Sequence, residues 1–230
     1  METEILFDDE KKMYYTNEGI LKGILAHTKF GVASSSSSKS NNYKSSNKPV
    51  EDNTNVAQET KENKPDVSKY DINTNFQITK DFSYKEFVYS NTAEKYGIKN
   101  VPNKEELENI VKLVKTVIQP IRDRYGKPIK INSGFRCNEL NSHKDIKGAA
   151  NSDHRFGAAA DIKAADGNNR ELFNVIVEMI RNGEIKCRQL LWEYGTRSAP
   201  RWVHVSINHS KNRQKNNEIL SIGIKPPLTF

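Results

Sequence analysis

Cysteines and long apolar segments are the two features that this sequence has least of. The 230 residues include only two cysteines, Cys137 and Cys187, which are too few for a disulfide framework and are not spaced like a zinc knuckle. We expect two free thiols, with a single pair across the fold as the alternative. No apolar run is long enough to span a membrane, and the acidic first four residues are unlike a basic secretory signal. The sequence therefore predicts neither membrane insertion nor a signal peptide.

Apolar residues are also scarce overall and unevenly placed. Hydrophobic residues make up 35% of the chain and the mean hydropathy is −0.77, so part of the chain does not build a core. Residues 33–75 are rich in Ser, Asn and Lys, and we interpret them as a disordered, flexible linker. Residues 1–32 carry apolar groups, around residues 20–25, that suit a short amphipathic helix or a docking peptide. Residues 76–230 then form one compact domain.

Positive charge is concentrated in that C-terminal region. Of the 36 basic and 29 acidic residues, 26 basic and 17 acidic ones lie in residues 76–230, so the whole net excess belongs to the predicted domain. A basic face suits an anionic polymer such as a bacterial wall or a nucleic acid. General solubility explains the same charge equally well, so the charge alone does not identify a partner.

Two helix signals open the predicted domain. Ser83 and Glu86 fit a capping box, and the phenylalanines on either side fit a hydrophobic staple, so a short helix is expected after Ser83. Asn103 and Glu106 form a similar cap before a longer helix, which we expect to bend or end near Pro120. The apolar residues of this longer helix recur at the spacing of one helix face: Leu107, Ile110, Val111, Val114, Val117, Ile118 and Ile121.

Strands and one further helix follow. Residues 129–131 alternate as in a half-buried strand, and residues 158–164 are small and apolar around one aspartate. Residues 169–182 have helical spacing and a glycine after them as a stop. Residues 189–194 and 201–207 flank a Gly/Ser/Pro turn, which is typical of a hairpin. This order predicts an α+β fold, with a small central antiparallel sheet and flanking helices, preceded by the flexible N-terminal tether.

Three ionisable residues lie in segments that otherwise have buried character: His154, Asp161 and His204. A lone carboxylate in an alanine-rich strand is costly to bury unless it is paired or bound to a cation. Two imidazoles and one carboxylate can hold zinc and leave a fourth position for water. Taken singly, each residue has an ordinary alternative: a turn cap for His154, an ion pair with Arg136 or Arg155 for Asp161, and a hydrogen-bonded strand histidine for His204.

The hairpin brings one more carboxylate toward this trio. If its turn centres near residues 197–198, Glu193 faces Trp202 and Leu191 faces His204, so that Glu193 and His204 project from one face of the sheet. A carboxylate beside an activated water can accept its proton and pass it to a leaving amine. Glu193 is therefore the candidate general base, and a solvent-facing strand residue is the alternative.

Arg136 is the candidate cation of the site, since it follows a strand end and a glycine that allows a sharp turn. Its guanidinium can hold a substrate carboxylate or an oxyanion through paired hydrogen bonds. The alternative is a surface salt bridge to Asp161 or Asp153. His143 and His209 are lower-ranked metal candidates, because both lie in polar surroundings.

From Phe82 to about Leu220 the chain resembles the zinc peptidase family of D-alanyl-D-alanine carboxypeptidases and L-alanyl-D-glutamate endolysins, especially its short phage and bacterial branch. No part of residues 1–75 shares the resemblance. The matching segments occur in this order: Phe82-Ser83-Tyr84-Lys85-Glu86-Phe87, Gln119-Pro120-Ile121-Arg122, Ser133-Gly134-Phe135-Arg136, residues 138–141, Ser152-Asp153-His154 with Gly157, Ala159-Ala160-Asp161-Ile162, Gln189-Leu190-Leu191-Trp192-Glu193 and Trp202-Val203-His204-Val205-Ser206.

The resemblance implies zinc bound by His154, Asp161 and His204 and hydrolysis of peptide stems that contain D-amino acids. The family's arginine and acidic roles fall on Arg136 and Glu193.

One departure concerns the general base. Many relatives place it three residues before the last histidine, where this chain has Arg201. Glu193 then remains as the acidic candidate on the hairpin, with Asp153 in reserve.

The expected function is therefore zinc-dependent hydrolysis of peptide bonds in the stem peptides of bacterial peptidoglycan, either by trimming of a terminal residue or by cutting within the stem. A chain without a signal, carrying a tether and a possible docking segment for other virion proteins, suggests a bacteriophage setting: the virion, or the cytoplasm of the infected host, with action on the cell wall. Nucleic acid is not an expected partner. The alternative is a non-catalytic wall-binding or virion structural protein that retains the peptidase fold.

Overall fold

The computed structural model describes residues 64–210 and 214–230 in full and, before them, only the backbone of two short strands. These strands, β1 (Leu6–Asp8) and β2 (Met13–Tyr15), pair antiparallel within a first unit of the chain. The predicted docking helix around residues 20–25 and the predicted linker up to residue 63 lie outside the described residues.

A second unit, residues 63–229, begins before the predicted domain boundary at residue 76. Val67 is buried, and Tyr70 stacks on Phe76, which in turn stacks on Tyr84. The last residues of the predicted linker therefore belong to the folded domain, because their aromatic and β-branched side chains find apolar partners in it.

Both predicted helix caps are confirmed. The Ser83 N–H donates to the Glu86 carboxylate over 2.7 Å, and the Asn103 N–H donates to the Glu106 carboxylate over 2.7 Å. Each cap satisfies backbone donors that have no partner inside their helix. The helices of the second unit are α1 (Tyr84–Val88), α2 (Asn91–Tyr96), α3 (Lys104–Leu113), α4 (Gln119–Tyr125), α5 (Asn138–Ser142) and α6 (Asn169–Arg181).

The helix expected to bend or end near Pro120 continues beyond it. A π-helical turn, Val114–Ile118, joins α3 to α4, and α4 carries on through Pro120 to Tyr125. Because proline has no N–H and crowds the preceding turn, a wider turn just before it lets the helix proceed. The helix therefore presents one continuous buried face, from Leu107 to Ile121, to the core.

A five-stranded sheet forms the centre of the unit, in the order β3-β4-β6-β5-β7. Its first four strands pair antiparallel, as predicted, and β7 pairs parallel with β5, which makes the sheet mixed. Strand β7 was not predicted from the sequence. The α+β class with flanking helices is confirmed, and the strands are β3 (Ile129–Ser133), β4 (Ala159–Ala164), β5 (Gln189–Glu193), β6 (Trp202–Ser206) and β7 (Glu218–Ile222).

The two faces of the sheet differ in character. One face carries Ile162, Leu190 and Val203, all fully buried, and helix α6 packs on β4 and β6. The other face carries the polar residues of β4, β5 and β6, among them the predicted site residues Asp161, Glu193 and His204. Paired strands hold these side chains in fixed positions. Both cysteines are free thiols. No helix in the described residues is long and apolar enough to cross a membrane.

Candidate metal centre

The sheet brings Asp161 and His204 together directly, because they are register partners on neighbouring strands β4 and β6. His154 comes from a short 3-10 helix, Asp153–Phe156, that precedes β4. Gly157 ends this helix with a left-handed φ of 66° and turns the chain into the strand. The three predicted ligands thus converge on one place, with their donor atoms within 4.8 Å of one another.

The donor atoms are spaced as a metal would need them. His204 Nδ1 lies 2.9 Å from Asp161 Oδ1, while His154 Nε2 lies 3.2 Å from His204 Nδ1 and 3.3 Å from Asp161 Oδ1. Ligand atoms bound at about 2.0–2.1 Å to one tetrahedral zinc stand roughly 3.3 Å apart. Two imidazole nitrogens and one carboxylate oxygen are also the donor set of many catalytic zinc sites, so these residues fit the metal.

The backbone fixes the orientation of the His154 ring. Its Nδ1 lies 2.7 Å from the carbonyl oxygen of Gly134, and because a carbonyl only accepts, Nδ1 carries the proton and Nε2 keeps its lone pair for the cluster. Gly134 is placed by close packing, since a Cβ there would lie 2.4 Å from the Phe87 carbonyl oxygen. Gly134, which the sequence indicated as a turn residue, thus orients the candidate ligand His154.

Burial and charge set the protonation of the cluster, in which the exposed fractions of His154, Asp161 and His204 are 2%, 6% and 7%. Burial acts to raise the pKa of Asp161, but the charges and hydrogen bonds of both imidazoles outweigh it and hold that pKa well below its usual range. Burial lowers the pKa of His154. Burial also acts to lower the pKa of His204, but its hydrogen bond to Asp161 and the nearby negative charge raise it. An ionised Asp161 and a neutral His154 are the forms that bind a cation.

The cluster opens into a cavity of about 580 Å³, lined also by Arg136, Glu193 and Trp202. The hairpin register is as predicted, with Glu193 opposite Trp202 and Leu191 opposite His204. The Trp202 indole N–H donates to Glu193 Oε2 over 2.6 Å. Burial raises the pKa of Glu193, and the charge of Asp161 raises it further. The candidate base therefore faces the same cavity as the metal ligands.

Arg136, three residues after the end of strand β3, also lines the cavity. Its Nη2 donates to Ser152 Oγ over 3.5 Å, and its buried Nε has no hydrogen-bond partner among the described residues. Burial lowers the pKa of the guanidinium, against the opposing effect of the charges of Asp161 and Glu193. The salt bridges considered for it, to Asp161 or to Asp153, are not formed in the described part of the chain. A buried donor at a cavity wall is available to a ligand.

The lower-ranked histidines lie outside the cluster. His143 packs against the Tyr96 ring at a centroid distance of 4.3 Å. His209 Nε2 lies 3.2 Å from Asp153 Oδ1, and its ring stacks on Phe156. Neither histidine belongs to the group of potential ligands found among the described residues.

Asp153, the reserve base, forms an ion pair with Arg188, a residue that was not predicted from the sequence to belong to the site. Arg188 Nη1 donates to Asp153 Oδ2 over 2.7 Å, and both side chains are buried. The two residues lie 35 positions apart, and no local pattern connects them. Glu193 therefore stays the better candidate base.

A family model described as Peptidase M15 matches residues 80–206, more than half of the chain. The chain belongs to the peptidase M15 family. The matched range contains every predicted site residue, from Arg136 to His204, so the resemblance drawn from the sequence is confirmed at the level of the family. As a member of a zinc-dependent peptidase family the chain is a hydrolase of the metallopeptidase class. No curated protein matches it.

Proposed function

We propose that this M15 peptidase hydrolyses peptide bonds in the stem peptides of bacterial peptidoglycan, with zinc held by His154, Asp161 and His204. The observation that supports this proposal is the convergence of the three buried donors on a cavity that also exposes Glu193 and Arg136. A basic domain is suited to a polyanionic wall, because positive potential speeds the encounter.

Each side chain then has a chemical task. Zinc bound at this site would polarise the scissile carbonyl and activate a water molecule. Glu193 takes a proton from that water and later delivers it to the leaving amine. Arg136 donates hydrogen bonds to the oxyanion or to a substrate carboxylate. His154 and Asp161 hold their positions through Gly134 and β4, so little reorganisation is needed.

We further propose a bacteriophage setting, with residues 1–32 docking to other virion proteins. The support is the Ser/Asn/Lys-rich composition of residues 33–62, the part of the predicted linker before the second unit, which is typical of a tether between a docking point and an enzyme. Enrichment of the protein in purified particles of the phage that encodes it, and its loss on deletion of residues 1–32, would support this setting.

The test of the activity is a digest of purified peptidoglycan with the full chain, with and without a zinc chelator. We expect soluble fragments only without chelator, and recovery of activity when zinc is added back. Product masses distinguish loss of a terminal D-amino acid from cleavage within the stem. Wall binding without any release of fragments, in zinc-loaded protein, would favour the non-catalytic alternative instead.

A further inference from the structure

A buried ion pair holds the residue that precedes the candidate ligand His154 in the chain. Arg188, the residue before strand β5, donates from Nη1 to Asp153 Oδ2 over 2.7 Å, and the two side chains are only 7% and 3% exposed. Asp153 is the first residue of the short helix that carries His154. The pair therefore joins the turn that supplies one metal ligand to the strand that supplies the candidate base, Glu193.

The same carboxylate also meets a third segment. His209, which follows strand β6, places Nε2 at 3.2 Å from Asp153 Oδ1. Strand β6 carries the ligand His204. Asp153 thus sits where the chain segments of His154, His204 and Glu193 come together.

Stability alone is a poor explanation for this arrangement. Removing two charges from water is expensive, and a buried ion pair is often no more stabilising than a packed apolar pair of similar volume. The charged pair adds a directional hydrogen bond, because a guanidinium and a carboxylate fix each other's position more tightly than apolar groups do. The 3-10 helix has only four residues, so its position depends on contacts with neighbouring segments.

We infer that Arg188, acting through Asp153, is a positioning residue that holds His154 at the spacing a metal ion requires. This inference rests on the proposed zinc site. Outer partners of metal ligands act in this way by keeping the donor atoms aligned before the metal arrives. Arg188 does not line the cavity that contains the three candidate ligands.

Replacement of Arg188 by methionine tests the inference, because methionine keeps the length of the stem and removes the guanidinium. Zinc affinity is measured in the full chain by competition with a chromophoric chelator, and Arg181→Met, on the exposed end of α6, is the matched control. We expect R188M to weaken zinc binding by roughly 10- to 100-fold and R181M to leave it unchanged.

A double variant separates positioning from mere stability. R188M leaves Asp153 as an uncompensated buried charge, which is itself destabilising. Arg188→Met with Asp153→Leu removes both charges, so its resistance to urea without zinc should recover relative to R188M. We expect its zinc affinity to stay at least tenfold below that of the unaltered protein, because the directional contact is still missing. If R188M does not fold, the zinc affinity of the double variant alone tests the inference.

Two results would count against different claims. An unaltered protein that binds no zinc would overturn the proposed function itself. Zinc binding by the unaltered protein, together with an affinity in the double variant equal to it, would leave the function in place and reduce the Arg188–Asp153 pair to a stabilising contact.

Discussion

Among single residues, Glu193 has the environment that most affects the proposed chemistry. It stands on the cavity wall with the metal ligands, and burial raises its pKa. A carboxylate with a raised pKa is a stronger base, and general bases work best when their pKa lies near the working pH. Its position on a paired strand gives it a defined direction toward the cavity.

Replacing Glu193 with glutamine should abolish most of the turnover while leaving the metal bound. The amide keeps the shape of the side chain but cannot accept the proton, and general base catalysis contributes roughly 10²- to 10⁴-fold. Release of peptidoglycan fragments and zinc content by elemental analysis are the measurements. Glu178→Gln, on the exposed face of α6, is the control and should keep full activity. An E193Q enzyme as fast as the unaltered one would discard the assignment.

Gly157 shows how tightly the turn after His154 is packed. A Cβ at this position would lie 2.3 Å from the carbonyl oxygen of Glu106, and its φ is 66°. Gly97, which ends α2, has the same φ, but a Cβ there would meet nothing within 4 Å. The two glycines therefore share their φ and differ in the space around them.

Substitution by alanine should reveal that difference in urea unfolding. Gly97→Ala should lower the free energy of unfolding by about 1–2 kcal/mol, the strain of a left-handed alanine. Gly157→Ala carries the same strain and in addition displaces a helix backbone, for which overpacking adds about 1–3 kcal/mol. Equal losses of unfolding free energy in the two variants would show that the turn after His154 adapts to the added methyl group. His154 would then be less tightly constrained than we infer.

Among elements, the β5–β6 hairpin combines support and chemistry. One of its faces packs into the core through Leu190 and Val203, and its other face presents Glu193 and His204 to the cavity. The cross-strand pair of Glu193 with Trp202 links the two strands by a hydrogen bond of 2.6 Å. This bond favours the ionised carboxylate and so lowers the pKa of Glu193 against the effect of burial.

Replacing Trp202 with phenylalanine should therefore shift the pH profile in a defined direction. Without the indole N–H the pKa of Glu193 rises further, and because the base acts only when ionised, the fall in activity on acidification should begin at a higher pH. The alkaline side of the profile should not move. Trp192→Phe is the control, since the Trp192 N–H donates to the Thr196 carbonyl instead. An unchanged acidic side in W202F would remove Glu193 as the titrating group.

At the scale of the whole molecule, the candidate metal centre joins strands β4 and β6 to the turn before β4. His204 Nδ1 lies within hydrogen-bond distance of Asp161 Oδ1 and of His154 Nε2, so the buried carboxylate keeps a partner when no metal is bound. The protein should therefore fold without zinc, and zinc should stabilise it in proportion to how far its concentration exceeds the dissociation constant.

Chelation should lower the melting temperature without making unfolding less cooperative. Zinc at about 100 times its dissociation constant adds roughly 2.7 kcal/mol, which corresponds to about 5–10 °C for a domain of this size. Differential scanning calorimetry with and without chelator measures the shift. His154→Ala should show no shift on addition of zinc, whereas His143→Ala, outside the cluster, should behave like the unaltered protein. Zinc-dependent melting in H154A would contradict the ligand set.

Local patterns were sufficient for the starts of helices α1, α3 and α6 and for the hairpin, whereas the short helices α2 and α5 were not predicted. Caps such as Asn103 with Glu106 act over three residues, and the pairing of Glu193 with Trp202 follows from the turn between them. His154, Asp161 and His204 were recognisable because ionisable groups within apolar segments are expensive to bury alone. All of these inferences depend on interactions between neighbours in the chain or on the chemistry of single side chains, which the sequence displays directly.

Contacts between distant segments were decided only by the tertiary structure. Strand β7 pairs parallel with β5, so the two are not joined by a tight turn, and the sequence shows no hairpin pattern that would predict the pairing. Arg188 pairs with Asp153 across 35 residues, and the Gly134 carbonyl binds the ring of His154. Both contacts likewise depend on how distant segments pack together. The sequence by itself determined which groups are candidates for the chemistry. The packing of the sheet decided how those groups are held, because the partners that orient them lie far away along the chain.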